Sequence, residues 1–255
     1  MTPARIAPED LRQLFRLKYG DPATTGWSPR RRFEFGYYQP ADYYEALVEK
    51  LVTAETDWID IGGGGALFPD NHPLSKLLSE RARRLVAVDP SDNLDSNPYP
   101  QERAKCMIEE YQTSAQFDLA TFRMVAEHIT NPASVVNTLN RLLRPHGLVV
   151  IFTVNRFSPV TMVSSLYHFR SHAGELIERM RKSARKAVII SEPVQNWSSK
   201  PSLLGKAAMW LSNPGVGEYT QRFDREGFEA LAKQHGASEF FYSASDRNAV
   251  AIFQP

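Results

Sequence analysis

The stretch DIGGGGA at residues 60–66 has the composition best suited to binding chemistry, because four consecutive glycines follow a short apolar run. Glycine has no Cβ, so such a loop lets the backbone approach a bound nucleotide closely. A dinucleotide loop would need glycine or alanine at Leu67 or Phe68, and a P-loop would end in Gly-Lys-Ser/Thr. The pattern that remains is an acidic residue followed by small residues at alternate positions: Asp60, Gly62, Gly64 and Ala66. The alternative is that the glycines serve only a tight turn between a strand and a helix.

A second acidic residue, Asp89, ends the apolar run LVAVD at residues 85–89. A carboxylate at the end of a strand, beside a glycine loop, can accept hydrogen bonds from both hydroxyls of a ribose. The spacing therefore predicts that Asp89 and the loop face the same ligand.

His128 is the candidate general base, in the segment AEHI that follows the apolar run FDLATF at residues 117–122. Histidine side chains titrate near neutral pH, which suits the removal of a proton from a reacting group. The alternative is that Glu127 and His128 cap the following helix or hold the loop.

The elements that must position these residues alternate between strands and helices over residues 57–154. Apolar runs predict strands at 57–61, 85–89, 117–122 and 148–154, with a weaker one at 105–108. Apolar residues at helical spacing predict helices at 74–84 and 133–143. This alternation predicts an α/β fold with a doubly wound, mostly parallel sheet.

The whole chain, residues 1–255, is expected to form one domain around this core. Residues 1–56 form an N-terminal helical cap, with helices at 8–18 and 40–52, and residues 155–218 form a helical lid that shapes the substrate pocket. Residues 219–255 form a C-terminal helix, capped by Asp224, and an antiparallel hairpin at the sheet edge. Within the lid, the basic amphipathic stretch 159–186 is either a core-facing helix or a surface for anionic membranes or phosphate-bearing acceptors.

Four segments together resemble the class I S-adenosylmethionine-dependent methyltransferases, which have a Rossmann-like fold, and above all ubiquinone-biosynthesis-like and other small-molecule O-methyltransferases. They are DIGGGGA, LVAVDPS, FDLATFRMVAEHITNPASVV and RLLRPHGLVVIFTVN, in the family's order and at its distances. The sequence departs from the family at Ala66, at His146 and by a PDNHP insertion before the first core helix.

This resemblance implies that S-adenosylmethionine is the cofactor. It also implies that Asp60 lies near the cofactor's amino-acid moiety, that Asp89 is the ribose ligand and that Glu109 or Glu110 recognises the adenine amino group. The choice between these two glutamates stays open.

The expected activity is methyl transfer to a hydroxyl of a small-molecule or glycan-type acceptor, with no metal ligands assigned. One alternative is an S-adenosylmethionine-binding protein that acts as a scaffold without methyl transfer. Another is an N-methyltransferase, because the sequence does not identify the acceptor.

Composition excludes several other classes of function. Lys and Arg together number 30 against 29 Asp and Glu, so no global charge favours nucleic acid as a partner. The single cysteine, Cys106, cannot form an internal disulfide, which fits a reducing cytoplasm. The longest apolar run, residues 148–154, is too short to span a bilayer, so a soluble cytoplasmic protein is expected, with its oligomeric state open.

Overall fold

The computed structural model describes residues 6–22, 24–25, 27–35, 38–154, 173–183, 186–192, 239–243 and 248–253. Its centre is an eight-stranded sheet. The strands are β1 (Asp57–Ile61), β2 (Arg84–Val88), β3 (Glu102–Ala104), β4 (Phe117–Arg123), β5 (Leu143–Val154), β6 (Lys186–Glu192), β7 (Glu239–Ser243) and β8 (Asn248–Phe253).

The strands lie in the order β3-β2-β1-β4-β5-β6-β8-β7. All neighbours from β3 to β6 are parallel, whereas β8 runs antiparallel to both β6 and β7. The chain proceeds from β1 outward to β3 and then returns to the other side of β1 with β4. Ligands of open parallel sheets bind at such a switch point, beyond the carboxyl ends of the strands.

Helices cover both faces of the sheet, as they must when parallel strands are connected by crossovers. Among the described residues they are α1 (Pro8–Tyr19), α2 (Trp27–Phe35), α3 (Pro40–Leu51), α4 (His72–Arg81), α5 (Pro132–Leu142) and α6 (Ala173–Lys182). Short 3₁₀ helices lie at Asp92–Ser96, Ile108–Glu110 and Ala126–His128. No helix in these described segments is both long and apolar enough to cross a membrane.

Two apolar layers form the core, one on each face of the sheet. The first joins α1, α3 and α4 to side chains such as Trp58, Leu148 and Phe152. The second joins α5 and α6 to the alternate side chains, such as Ile59 and Ile151. This alternation follows from the two-residue period of a strand. The fully buried strand β1 therefore holds the start of the glycine loop between the two layers.

The doubly wound, mostly parallel sheet predicted from the sequence is confirmed, with small shifts in the elements. β3 lies at Glu102–Ala104, before the predicted 105–108, where the chain instead turns toward the 3₁₀ helix Ile108–Glu110. Between the two N-terminal helices predicted at 8–18 and 40–52, the structure has a further helix, α2. The C-terminal helix predicted from Asp224 lies outside the described residues.

The predicted helical lid at residues 155–218 is wrong for one described part, because Lys186–Glu192 form strand β6. β6 pairs along its whole length with β5, which extends the parallel sheet. The preceding helix α6 packs on α5, with Leu176 and Met180 fully buried. This burial agrees with the core-facing alternative for this stretch. The rest of the proposed lid, 155–172, 184–185 and 193–218, lies outside the described residues.

Candidate active site

A cavity of about 370 Å³ lies at the carboxyl ends of β1 and β4. Its walls come from the glycine loop, from the segment that leads into α4 and from the end of β4. The lining residues are Asp60, Gly62, Gly64, Gly65, Ala66, Leu67, Pro69, His72 and Arg123. The volume is in the range of small-ligand pockets, and the position is the switch point of the sheet.

The glycine loop follows β1 and has little room for side chains. Gly62 has φ +76°, and a Cβ at this position would lie 2.0 Å from Cγ2 of Val125. A Cβ at Gly63 would lie 2.9 Å from the Cβ of Ala87. At Gly64, φ is +32° and the nearest atoms are 3.8 Å away. Packing thus requires glycine at the first two positions, whereas a Cβ at the third would make only ordinary van der Waals contacts.

Asp89 directly follows β2 and is largely buried, at 9% exposure. Its Oδ2 accepts a hydrogen bond of 3.0 Å from the Gly64 N–H, and its Oδ1 accepts one of 2.8 Å from the Ser91 N–H. The carboxylate therefore orders the glycine loop from the neighbouring strand. A carboxylate has about four lone-pair sites, so about two stay open for a ligand.

Asp60 lies on β1 beneath the loop and is 4% exposed. The Thr121 hydroxyl, on β4, donates a hydrogen bond of 2.6 Å to its Oδ1, and the Trp58 indole N–H donates one of 2.7 Å to that hydroxyl. Burial raises the pKa of Asp60 to about 7, against the opposing effects of the Thr121 hydrogen bond and the Arg123 charge. A bound cation would favour the ionised form.

Arg123, the last residue of β4, lines the same cavity. Sequence reasoning missed it, and its only signal was its position two residues after Thr121, on the same side of the strand. The next residue, Met124, has φ +55° and donates its backbone N–H to the Phe152 carbonyl at 2.7 Å. A left-handed conformation is uncommon for a residue other than glycine, and it ends β4 at this point.

The PDNHP insertion, which the sequence marked only as a departure from the family, contributes His72 and the start of α4. The Asn71 side chain caps this helix by accepting from the Leu74 N–H at 3.2 Å. The Asn71 amide also donates to the buried carboxylate of Glu45 on α3 at 2.7 Å. His72 is 2.9 Å from the Tyr99 hydroxyl through its Nδ1. The N-terminal helices therefore help to position one wall of the cavity.

Glu109 and Glu110 lie in the 3₁₀ helix after β3, beyond the same edge of the sheet. Glu110 is exposed and its carboxylate accepts a hydrogen bond of 3.3 Å from the Met107 N–H. Glu109 is half-buried. Neither side chain is among the described residues that line the cavity. The local bond of Glu110 makes Glu109 the better candidate for a ligand contact.

Glu127 and His128 lie in the 3₁₀ helix after β4. The Glu127 carboxylate accepts a hydrogen bond of 2.7 Å from the Thr153 hydroxyl at the end of β5. The His128 side chain is exposed, and its backbone N–H donates to the Val125 carbonyl at 2.9 Å. Within the described part of the chain, His128 does not line the cavity. In the same part, no cluster of three or more His, Cys, Asp or Glu side chains is placed to hold a metal ion.

Comparison with known protein families identifies the family of this chain. The family model described as a methyltransferase domain matches residues 30–238, which is most of the chain. The chain belongs to this methyltransferase family. The region matched by the methyltransferase family begins within α2 and includes the glycine loop, Asp89, Arg123 and His128.

Individual relatives of this methyltransferase are more distant. A ubiquinone biosynthesis O-methyltransferase of Pseudomonas aeruginosa (strain UCBPP-PA14) is 32% identical over 110 residues, with 38% of this chain and 44% of the relative covered. The corresponding Dechloromonas aromatica (strain RCB) protein is 26% identical over 149 residues, with 54% and 62% covered. This chain thus covers less than two thirds of either relative.

Among solved structures, the N-methyltransferase NodS from Bradyrhizobium japonicum WM9, in complex with S-adenosyl-L-homocysteine, is similar to this chain. The two are 11% identical with a TM-score of 0.38, and 96% of this chain and 97% of NodS are covered.

The residues of this methyltransferase fit S-adenosylmethionine at three positions. Asp89 keeps about two acceptor sites for the hydroxyls of a ribose. Gly64 has no atom within 3.4 Å of its Cβ position, so a ligand can lie against the loop backbone there. Asp60 supplies a buried carboxylate at the cavity wall, which suits a ligand that carries positive charge.

Proposed function

We propose that this methyltransferase transfers a methyl group from S-adenosylmethionine to a hydroxyl of a small-molecule or glycan-type acceptor. The observation that carries the proposal is the convergence of Asp60, Gly64 and Asp89 on the loop at the switch point of the sheet. The choice of oxygen as acceptor atom is supported by the relatives that are named O-methyltransferases.

The chain's own residues have three tasks in this reaction. When bound, S-adenosylmethionine supplies an electrophilic methyl group on a sulfonium sulfur. Asp89 binds the ribose of the cofactor, and the glycine loop lies against the atoms next to that ribose. Asp60 binds its ammonium group, and Glu109 accepts a hydrogen bond from the adenine amino group. Most of the rate acceleration then comes from holding donor and acceptor in line.

His128 is proposed as the general base. When S-adenosylmethionine, held by Asp89 and the glycine loop, supplies its methyl group to the acceptor oxygen, the imidazole of His128 would accept the proton that the acceptor hydroxyl loses. The position supports this role, because the 3₁₀ helix that carries His128 directly follows β4 and its Glu127 is held by Thr153 at the end of β5. Side chains at the ends of these strands face the cleft of an open α/β sheet.

The test combines binding with turnover. Titration calorimetry should show that the wild-type protein binds S-adenosylhomocysteine. Incubation with methyl-labelled S-adenosylmethionine and a panel of phenols, sugars and amines should label a hydroxyl-bearing compound. Binding without labelling of any compound would favour the scaffold alternative, and labelling of amines alone would favour N-methylation. Failure to bind either cofactor form would overturn the proposal.

The role of His128 is tested with the acceptor found in that panel. His128→Ala should lower the single-turnover rate by about 10²–10⁴-fold and leave cofactor affinity unchanged. The control is His146→Ala, which removes another exposed histidine, near the start of β5, at the end of the strand opposite to the cavity. A loss under tenfold in His128→Ala, or a loss confined to cofactor affinity, would reject His128 as base.

A further inference from the structure

Arg123 places a positive charge in the cavity wall on the β4 side of Asp60. Its guanidinium lies over the Phe152 ring, with Cζ 5.8 Å from the ring centroid. Phe152 in turn stacks on the buried Tyr44 ring at 5.3 Å. Together with the backbone bond of Met124 to Phe152, these contacts hold the arginine stem against β5.

The described residues leave one hydrogen-bond donor of this guanidinium unused. The buried Nε of Arg123 has no hydrogen-bond partner in that part of the chain. Asp60 is close enough for the Arg123 charge to lower its pKa, yet the Oδ1 of Asp60 is taken by Thr121. Burial has the larger effect on Asp60 and raises its pKa to about 7, so near neutral pH much of this carboxyl is uncharged.

The charge of the ligand makes an unpaired arginine here unfavourable. S-adenosylmethionine carries a sulfonium, an ammonium and one carboxylate, so its net charge is positive. A guanidinium in a half-buried cavity repels such a ligand unless an anionic group is beside it. Arginine forms its strongest hydrogen bonds in pairs with planar oxyanions, through two parallel N–H donors.

We propose that Arg123 is an anion-binding residue of the active site and that it pairs with an oxyanion of the bound ligands, of the carboxylate or phosphate class. The proposal rests on the proposed function. The oxyanion has two possible sources: the α-carboxylate of the cofactor, or an acidic group on the methyl acceptor. In either case Asp60, when ionised, and Arg123 provide opposite charges in the same cavity.

The test uses Arg123→Gln and Arg123→Met, which keep much of the stem on Phe152 and remove the charge. In the first arm, calorimetry measures the affinity for S-adenosylhomocysteine, which has the carboxylate, and for methylthioadenosine, which lacks the amino-acid moiety. In the second arm, the S-adenosylhomocysteine complex is titrated with benzoate or phenyl phosphate as anionic probes and with benzyl alcohol as the neutral control.

A loss of tenfold or more for S-adenosylhomocysteine, with methylthioadenosine unchanged, supports the cofactor as the source of the oxyanion. Unchanged cofactor affinities, with a comparable loss for the anionic probes only, support the acceptor. Affinities within twofold for all ligands, or equal losses for both nucleosides, overturn the anion-binding role. These outcomes concern the variants, whereas a failure of the proposed function shows in the wild-type protein as absence of cofactor binding.

Discussion

Replacement of Asp89 with alanine is the most direct test of where the ribose binds. The carboxylate accepts two backbone hydrogen bonds, from Gly64 and Ser91, and these occupy about half of its lone-pair sites. The other half is available to the two ribose hydroxyls. Asp89→Ala therefore removes the ligand contacts and also the bond that orders the loop.

The magnitude follows from the number of hydrogen bonds. Each hydrogen bond to a charged group contributes about 1.5–3 kcal/mol. Two bonds to the ribose give about 3 kcal/mol at the lower end, which is about 100-fold in the dissociation constant. Loss of the Gly64 bond should also lower the free energy of unfolding without ligand by about 1–3 kcal/mol.

Calorimetric titration with S-adenosylhomocysteine measures the loss of affinity. Titration with its 2′-deoxy analogue shows whether this loss comes from the contact of Asp89 with the 2′-hydroxyl. If Asp89 contacts the 2′-hydroxyl, removal of that hydroxyl weakens binding to the wild type but has little effect on binding to Asp89→Ala. The matched control is Asp92→Ala, which removes an exposed carboxylate from the same loop, where it pairs with Lys105. An Asp89→Ala affinity within twofold of the wild type would refute this position of the ribose.

Two further predictions concern the residues beside Asp89. Gly62→Ala should lower the free energy of unfolding by about 2–4 kcal/mol, because the new Cβ meets Val125 at a positive φ, whereas Gly64→Ala should lower it by about 1 kcal/mol. Equal losses in chemical denaturation would contradict this difference. Asp60→Asn should leave stability nearly unchanged at pH 4 and raise it at pH 8 by up to about 4 kcal/mol. Burial raises the folded-state pKa of Asp60 to about 7, so the wild type loses stability as the pH rises from about 4 to about 7, whereas asparagine does not ionise. Urea unfolding without ligand at both pH values measures this, and a stability difference independent of pH would show that Asp60 is not destabilised by ionisation.

The sequence allowed prediction of the core sheet and of the residues that the structure brings together at the glycine loop. Asp60, Gly62, Gly64 and Asp89 could be identified because each lies at the end of a strand or in the loop that follows it, and parallel strands bring their carboxyl ends to one edge. The spacing alone could not show which glycine is required for packing and which faces a ligand. The contact of Gly62 with Val125 depends on how the segment after β4 folds back over the loop.

The remaining site residues depend on tertiary contacts that leave no periodic signal. In the sequence, Arg123 looks like an ordinary residue at the end of a strand. Asn71 and His72 look like part of an insertion. Their importance comes from contacts between distant parts of the chain, such as Asn71 with Glu45 on α3. Strand β6 was missed because residues 155–218 are too long for a bare connection, and the whole segment was therefore expected to form a helical lid.

Several buried polar groups surround the single carboxyl of Asp60, and the cost of ionising a buried carboxyl explains their presence. A buried carboxylate is unfavourable by itself, and the fold offsets only part of this with the Thr121 hydroxyl, which Trp58 holds in place. The Oδ2 of Asp60 lies 3.1 Å from the Cβ position of Gly63, so the absence of a side chain there lets the loop backbone approach the carboxylate. A cationic group in the cavity would favour ionisation and recover this cost on binding. We therefore expect the destabilised carboxyl of the free protein to favour a ligand that brings a positive charge beside Asp60.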